Sequence, residues 1–241
     1  LQAWGPFDSK EHYRFIIDCM MNIPLLYWAS EINGDMRYRD IASKHFHTSC
    51  QYVIREDASA FHTFYMDPET GAPDHGATRQ GYRDDSAWAR GQAWGIYGIP
   101  LNIRYTKDME NIDLYRGMTN YFLNRLPKDH ICFWDLIFND QDDQPRDSSA
   151  AAIAVCGMLE MDHLLTDACE EKKIYKGAAQ AILRSLIQNY TNPHKEEGSP
   201  ILLHGVYSWH SGKGVDEGNI WGDYFYMEAL MRCFKQWEPY W

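Results

Sequence analysis

Apolar residues recur at helical spacing along most of the chain. In "SKEHYRFIIDCMMNIPLLYWASEI" Phe15, Cys19, Asn22 and Leu26 form one stripe, and Ile16, Met20, Ile23 and Tyr27 lie beside it. That i, i+3, i+4 pattern predicts an amphipathic helix. It opens near Ser9, a weak cap, kinks at Pro24 and stops at Asn33-Gly34. "MRYRDIASKHFHTSCQYVIRE" predicts a second helix. "AFHTFYMDPETGAPDHG" breaks the period and reads as a strand or extended arm, with Pro68 and Gly71 at a turn. A third helix is expected from Asp85-Ser86 to about Arg104 and a fourth within "DMENIDLYRGMTNYFLNRL". The fifth covers "DSSAAAIAVCGMLEMDHLLT", capped by Asp147 or Ser148, and the sixth covers "KKIYKGAAQAILRSLIQNYT". After a loop rich in glycine and histidine, "LLHGVYSWHSGKGVDEGN", a last helix follows in "DYFYMEALMRCFKQW".

Long helices that alternate between short links and long loops have the rhythm of stacked helical hairpins. The small residues from Ala150 to Ala154 suggest close packing of helices rather than a linker. Polar and aromatic residues gather near Asp18, across 62–94 and in the 204–223 loop, as expected of a site grafted onto one rim of a helical scaffold. The length of 241 residues suits one domain over the whole chain.

Composition narrows the partners. The net charge of −11 repels phosphate backbones, which argues against nucleic acid. No apolar run approaches the roughly 18 residues of a membrane span, so no membrane partner is expected. An aromatic content of 15% fits either a core of large side chains or a surface that stacks on flat, ring-shaped ligands. The six cysteines form no CxxC pair and read as buried free thiols of a reducing compartment. That points to the cytoplasm, with the periplasm left open. Leu1 is not an initiator methionine and the chain enters a helical pattern almost at once, so the natural start is expected upstream. No phosphate loop, HExxH or GxSxG motif occurs.

Three features carry chemistry. Asp18 in "FIIDCMMN" has apolar neighbours, and a carboxylate that loses solvation there is suited to donate a proton near neutral pH. A buried Asp paired with an arginine, or a helix cap, is the plainer alternative. His62 lies between Phe61 and Phe64 on the extended arm, either as a site residue or as a structural histidine. "QGYRDDSAWARGQAW" sets Trp88 four residues before Gln92 and Arg90 four before Trp94. Guanidinium beside indole equips a site for a carboxylate-bearing ring; the same residues would also staple a helix end.

"IIDCMMNIPLLYWAS", "QGYRDDSAWARGQAWGIYG", "DSSAAAIAVCGMLE" and "GVDEGNIWGDYFYMEALMR" resemble, in order and along essentially the whole chain, the unsaturated glucuronyl hydrolases of glycoside hydrolase family 88. The resemblance implies an all-α (α/α)6 barrel. It also implies a reaction on the 4,5-unsaturated uronic acid that polysaccharide lyases leave at the non-reducing end of oligosaccharides. No cofactor or metal is expected, because the carboxylates do not fall at ligand spacing with histidines and hydration of an enol ether needs a proton donor rather than a Lewis acid. The family's acid protonates C4 of the vinyl ether, water adds at C5, and the hemiketal opens and expels the next sugar. Carried over by motif, Asp18 is the general acid and base. His62, Gln80, Trp88, Arg90, Trp94 and, in the rim loop, Tyr207 are implied to contact the substrate. Family members begin with further helices and a second important aspartate in a His-Asp motif. No His-Asp dipeptide occurs here, so the chain resembles the last two-thirds of such a protein, and the missing N-terminal segment is an expected partner. Two rival readings are an unsaturated rhamnogalacturonyl hydrolase of the same fold and a fragment that binds acidic oligosaccharides without turnover.

Overall fold

The computed structural model describes residues 5–6, 9–194 and 196–235. Among them are seven α-helices: α1 (Cys19–Asn33), α2 (Met36–Tyr52), α3 (Ala89–Thr106), α4 (Ile112–Leu123), α5 (Ser148–Leu164), α6 (Glu170–Ser185) and α7 (Ile220–Phe234). Five short strands accompany them: β1 (Arg14–Ile16), β2 (Thr63–Met66), β3 (Pro73–Ala77), β4 (Gly205–Ser208) and β5 (Lys213–Glu217).

Two kinds of helix follow from two kinds of apolar pattern. In α2 the buried positions are Ala42, His45, Phe46 and Ser49; in α4 they are Tyr115, Met118, Thr119 and Phe122. Each set is a single stripe at helical spacing, and α6 has the same form, so these helices rest one face on a neighbour. By contrast, α3 and α5 are buried nearly all round. The main packing follows: α1, α3, α5 and α7 lie side by side as an inner row, and α2, α4 and α6 back onto α1, α3 and α5. This is a row of nested helical hairpins, part of an α/α barrel. The inner row ends at α1, which exposes Leu25, Trp28 and Ile32, and at α7, which exposes Ile220, Met227 and Phe234.

Small residues allow the inner row to close. Gly157 of α5 leaves so little room that a β-carbon there would lie 2.6 Å from the Ile96 carbonyl oxygen and 2.7 Å from Tyr97 Cα on α3. Pro100 cannot donate to that same Ile96 carbonyl, four residues earlier, so a contact forms where the helix ladder is already interrupted. The α1–α3 contact repeats the device: a β-carbon on Gly98 would meet Met20, whose carbonyl Pro24 cannot use. Ala150, Ala151, Ala152 and Ala154 are all fully buried. Away from these glycines, buried charges tie α3, α5 and α7. Arg232 donates to Glu160 at 2.8 Å, to Glu228 at 2.8 Å and to the Tyr97 hydroxyl at 2.8 Å, while Arg104 donates to Glu160 at 2.6 Å. Burial pushes the Glu160 carboxyl up, but the two arginines outweigh it and hold it below its usual range.

The second helix stops at Tyr52, short of the expected Glu56, and the last begins at Ile220, ahead of Asp223; two further starts move because strand pairing intervenes. The first helix starts at Cys19, not near Ser9, because Arg14–Ile16 forms the edge of a sheet: Arg14, Phe15 and Ile16 pair with Tyr65, Phe64 and Thr63. Ser9 makes no side-chain cap and precedes only a 3₁₀ turn. A run of aromatic and β-branched residues satisfied a helical period and a strand equally well, and the partner strand decided it. The third helix begins at Ala89 rather than at Asp85, because Ala87–Ala89 pairs with Trp134–Leu136. Asp147 is the cap of α5, accepting from the Ser149 and Ala150 amides. The expected end of the last helix, at Trp237, lies outside the described residues.

The packing predicts opposite effects for two helical glycines. Gly157→Ala drives a methyl into α3 backbone and should cost about 1–3 kcal/mol. Gly177 of α6 has open space where its β-carbon would stand, so Gly177→Ala should stabilise by about 0.5–1 kcal/mol. Urea melts of the two variants check both signs.

Candidate active site

The N-terminal ends of the inner helices meet at one place. Asp18 precedes α1, Arg90 is the second residue of α3, Asp147 caps α5, and Trp221 is the second residue of α7. Parallel helices pointing their positive dipole ends into a common space favour negative charge there.

Arg90 is the hub of this region. It is 3% exposed, and a buried guanidinium must find partners for its donors. One terminal nitrogen donates to Asp147 at 3.1 Å and to the Val206 carbonyl; the other donates to Gln80 Oε1 at 2.8 Å and to the Tyr207 carbonyl at 3.0 Å. The group also lies 4.5 Å from the centre of the Trp88 ring and 5.1 Å from that of Trp221. Four stretches of chain therefore converge on one cation: the loop before α3, the α5 cap, strand β4 and the start of α7.

His62 sits across from it. Its Nδ1 accepts the backbone N–H of Arg79 at 2.9 Å and of Gln80 at 3.2 Å. The proton of the neutral ring then resides on Nε2, leaving that nitrogen a donor. Burial lowers the pKa to about 3, with the charges of Arg90, Arg14 and Arg79 adding to the effect. The imidazole is neutral across the physiological range. A chain with a net charge of −11 thus gathers three arginines around one histidine.

Asp18 lies at the strand-to-helix junction rather than in mid-helix. The Ile17 amide donates to the His62 carbonyl at 3.0 Å, which registers Asp18 next to the β1–β2 pairing. As a residue Asp18 is partly exposed, but its Oδ2 is sealed from solvent, as is the neighbouring Trp94 indole nitrogen. Burial raises the Asp18 pKa to about 6, against the opposing pull of Arg90, its own backbone and the nearby Trp94 N–H. A carboxyl held there can both give and take a proton near neutral pH.

Over the end of β1 that leads into Asp18 opens a cavity of about 360 Å³, lined among others by Arg14, Ile16, His62, Arg79, Gln80 and Tyr207. The structure brings together all seven residues singled out in the sequence, but not in equal roles. Gln80, His62 and the half-exposed Tyr207 face the cavity. Trp94 is partly buried, packs edge-on to Phe225 and borders Asp18. Trp88 is 3% exposed, lies against His62 at 4.8 Å between ring centres and has the Arg90 guanidinium over its ring. All four terminal N–H groups of Arg90 are used inside the protein, where they tie the loop before α3 to the α5 cap and to β4. Asp84 and Asp85 serve the loop: Asp84 accepts the Thr78 amide at 2.7 Å and Asp85 pairs with Arg83 at 2.6 Å. Arg14 and Arg79 escaped sequence analysis because no spacing links residues 14, 62 and 79. The ion pair of Asp147 was missed because a helix cap already accounted for that residue.

The model of Glycosyl Hydrolase Family 88 matches residues 2–230. The chain is 64% identical over all 241 residues to the unsaturated chondroitin disaccharide hydrolase of Streptococcus pyogenes serotype M1, of which it covers 60%. It superimposes with a TM-score of 0.97 on the crystal structure of unsaturated glucuronyl hydrolase from Streptococcus agalactiae, at 62% identity over the full chain and 60% of that protein. A variant of the same streptococcal enzyme, solved in complex with dGlcA-GalNAc6S, matches over 94% of this chain and 60% of its own with a TM-score of 0.87 and 61% identity. The chain thus spans about three-fifths of the length of these relatives. The match over nearly every residue, at this identity, establishes that the chain belongs to Glycosyl Hydrolase Family 88.

Proposed function

We propose that the protein of which this chain forms part removes the 4,5-unsaturated glucuronic acid from the non-reducing end of lyase-generated oligosaccharides, with unsaturated chondroitin disaccharides as the favoured class. The observation that carries this reading is a carboxyl raised to about 6 against the pull of Arg90, where the positive ends of the inner helices meet, with a cavity edged by Arg14 and Arg79 on the adjoining strand and loop. A protein that merely held an anionic sugar would gain nothing from a second, desolvated carboxylate at that point. The names of the streptococcal relatives support the choice of substrate.

The chain's own groups suit hydration of a vinyl ether. Protonated Asp18 delivers its proton to C4 as the C4=C5 pair forms the new C–H bond, and positive charge develops at C5 and the ring oxygen. Water adds at C5 and the Asp18 carboxylate takes the proton released. The C5 hemiketal opens to a ketone, the freed hydroxyl at C1 collapses to an aldehyde, and the neighbouring sugar leaves as an alcohol. Neutral His62 offers Nε2–H, and Gln80 its amide, to hydroxyl or carboxylate oxygens. The arginines compensate the charge of the uronate without binding all of it directly.

Three outcomes are expected, each measured in the full-length protein. Asp18→Asn should lower kcat, followed by loss of the absorbance of the unsaturated bond, by about 10²–10⁴-fold. An activity above about a tenth of the parent's would return Asp18 to a structural role. The same substitution should stabilise the fold at pH 8. A pKa raised from 3.8 to about 6 penalises the folded state by about 3 kcal/mol once the group is ionised in both states. The penalty is absent below the unfolded pKa and grows through the window from 3.8 to about 6. Thermal melts of parent and variant should therefore separate at pH 8 and converge toward pH 4. Because the acid must be protonated, kcat/KM should fall as pH rises through about 6, and the limb in kcat should lie higher, since an anionic substrate raises the pKa of Asp18 further.

Arg90→Lys keeps the charge but has three donors and no planar fork for four acceptors. It should destabilise by about 1–3 kcal/mol through the acceptors left unpaired and raise KM, because the walls that carry Gln80 and Tyr207 lose their common tie. An unchanged melting temperature together with an unchanged KM would show the four contacts to be dispensable.

A further inference from the structure

Both walls of the cleft rest on two consecutive residues that take no part in the mechanism above. Trp134 and Asp135 are fully buried in the connection between α4 and α5. Their backbone zips antiparallel to the residues that open α3: Ala89 N–H donates to the Trp134 carbonyl at 3.0 Å, and Leu136 N–H to the Ala87 carbonyl at 2.8 Å.

The Asp135 side chain holds the first wall, the 78–86 loop that presents Arg79 and Gln80. Its Oδ2 accepts the Tyr82 N–H at 2.8 Å and the Ser86 hydroxyl at 2.7 Å, while Oδ1 accepts the Ile137 N–H at 3.1 Å. The loop is packed so tightly there that a β-carbon on Gly81 would stand 3.1 Å from Asp135 Oδ2 and 2.7 Å from Thr78 Oγ1. The backbone it fixes is the one whose two amides hold His62 Nδ1. Trp134 holds the second wall, the turn between β4 and β5. Trp209 stacks on it with ring centres 5.1 Å apart and planes at 17°, and His210 meets it edge-on at 6.1 Å. His210 then closes the circuit by donating from Nε2 to the Gly81 carbonyl at 2.7 Å. Gln144 fixes the indole itself, accepting from its N–H at 2.9 Å.

We propose that Trp134 and Asp135 are positioning residues that set the spacing between the two walls of the cleft and fix the tautomer of His62, a role that rests on the reaction proposed above. Burial lifts the pKa of Asp135, yet four donors oppose that rise and favour the charged acceptor that the loop needs. Replacing the carboxylate with an amide turns one acceptor into a donor that faces backbone N–H groups, so the loop must shift.

The test is Asp135→Asn in the full-length protein, with 15N-histidine labelling alongside kinetics on an unsaturated chondroitin disaccharide. The expected result is a fall in kcat/KM of about tenfold to a hundredfold, together with movement of the His62 ring signals away from a pure Nε2–H tautomer. Kinetics are run well below the melting temperature, so a loss of stability alone moves neither readout. A kcat/KM within about twofold of the parent's, far inside the loss expected of misplaced groups, overturns the proposal. So does a large fall in kcat/KM with an unchanged His62 spectrum, because the route through the loop would be missing. Should Asp135→Asn fail to fold, Ser86→Ala and Trp134→Phe remove one donor and one stacking surface, and the same two readouts decide. If the unsubstituted protein turns over no unsaturated disaccharide, the proposed reaction fails, and the His62 spectrum still judges whether the pair fixes the ring.

Discussion

A single buried cation organises the site. The guanidinium of Arg90 has left water, and a charge in that position is tolerable only if every donor is satisfied. Its acceptors come from the 78–86 loop, the cap of α5 and two carbonyls of β4, so neutralising one side chain requires three remote segments to arrive together. The field of the same charge then acts on the groups that perform chemistry. It restrains the rise that burial imposes on Asp18 and adds to the fall that burial imposes on His62. One carboxyl is left poised near neutrality and one imidazole is kept uncharged.

That convergence is possible because the inner helices run parallel and close. Glycine and alanine at the α3–α5 contact bring backbones together, and the prolines place spare carbonyls where those backbones touch. Each outer helix returns the chain to the same end, so every inner helix begins at the cleft. The dipoles reinforce the arginines, and the far ends are locked by the buried network of Glu160, Glu228, Arg232 and Tyr97. Scaffold and site use one resource, buried charge, at opposite ends of the same helices.

The Asp18 carboxyl shows the cost of this arrangement. Its raised pKa is free energy held against folding above about pH 6, and it persists because the strand β1 and helix α1 fix its place on both sides. A solvated aspartate would be more stable and would ionise too readily to give up a proton to carbon near neutral pH.

Much of the fold was legible in the chain itself. Stripes such as Tyr115, Met118, Thr119 and Phe122 determine an outer helix because a one-sided apolar face can be buried in only one way. The Asp147 cap and the alanine run of α5 are equally local signals. Family-like motifs single out Asp18, His62, Gln80, Trp88, Arg90, Trp94 and Tyr207 from local sequence alone. What the sequence could not settle was anything that depends on a distant partner. Arg14–Ile16 became strand because β2 lay alongside, and α3 began late because residues 134–136 paired with 87–89. Trp88 and Arg90 are buried because the His62 ring covers the indole, and Asp147 and two carbonyls of β4 hold the guanidinium. Periodicity and motif are properties of neighbours along the chain. The desolvation, hydrogen bonding and field that fix a side chain's role come from groups up to a hundred or more residues away, which only the tertiary structure brings within reach.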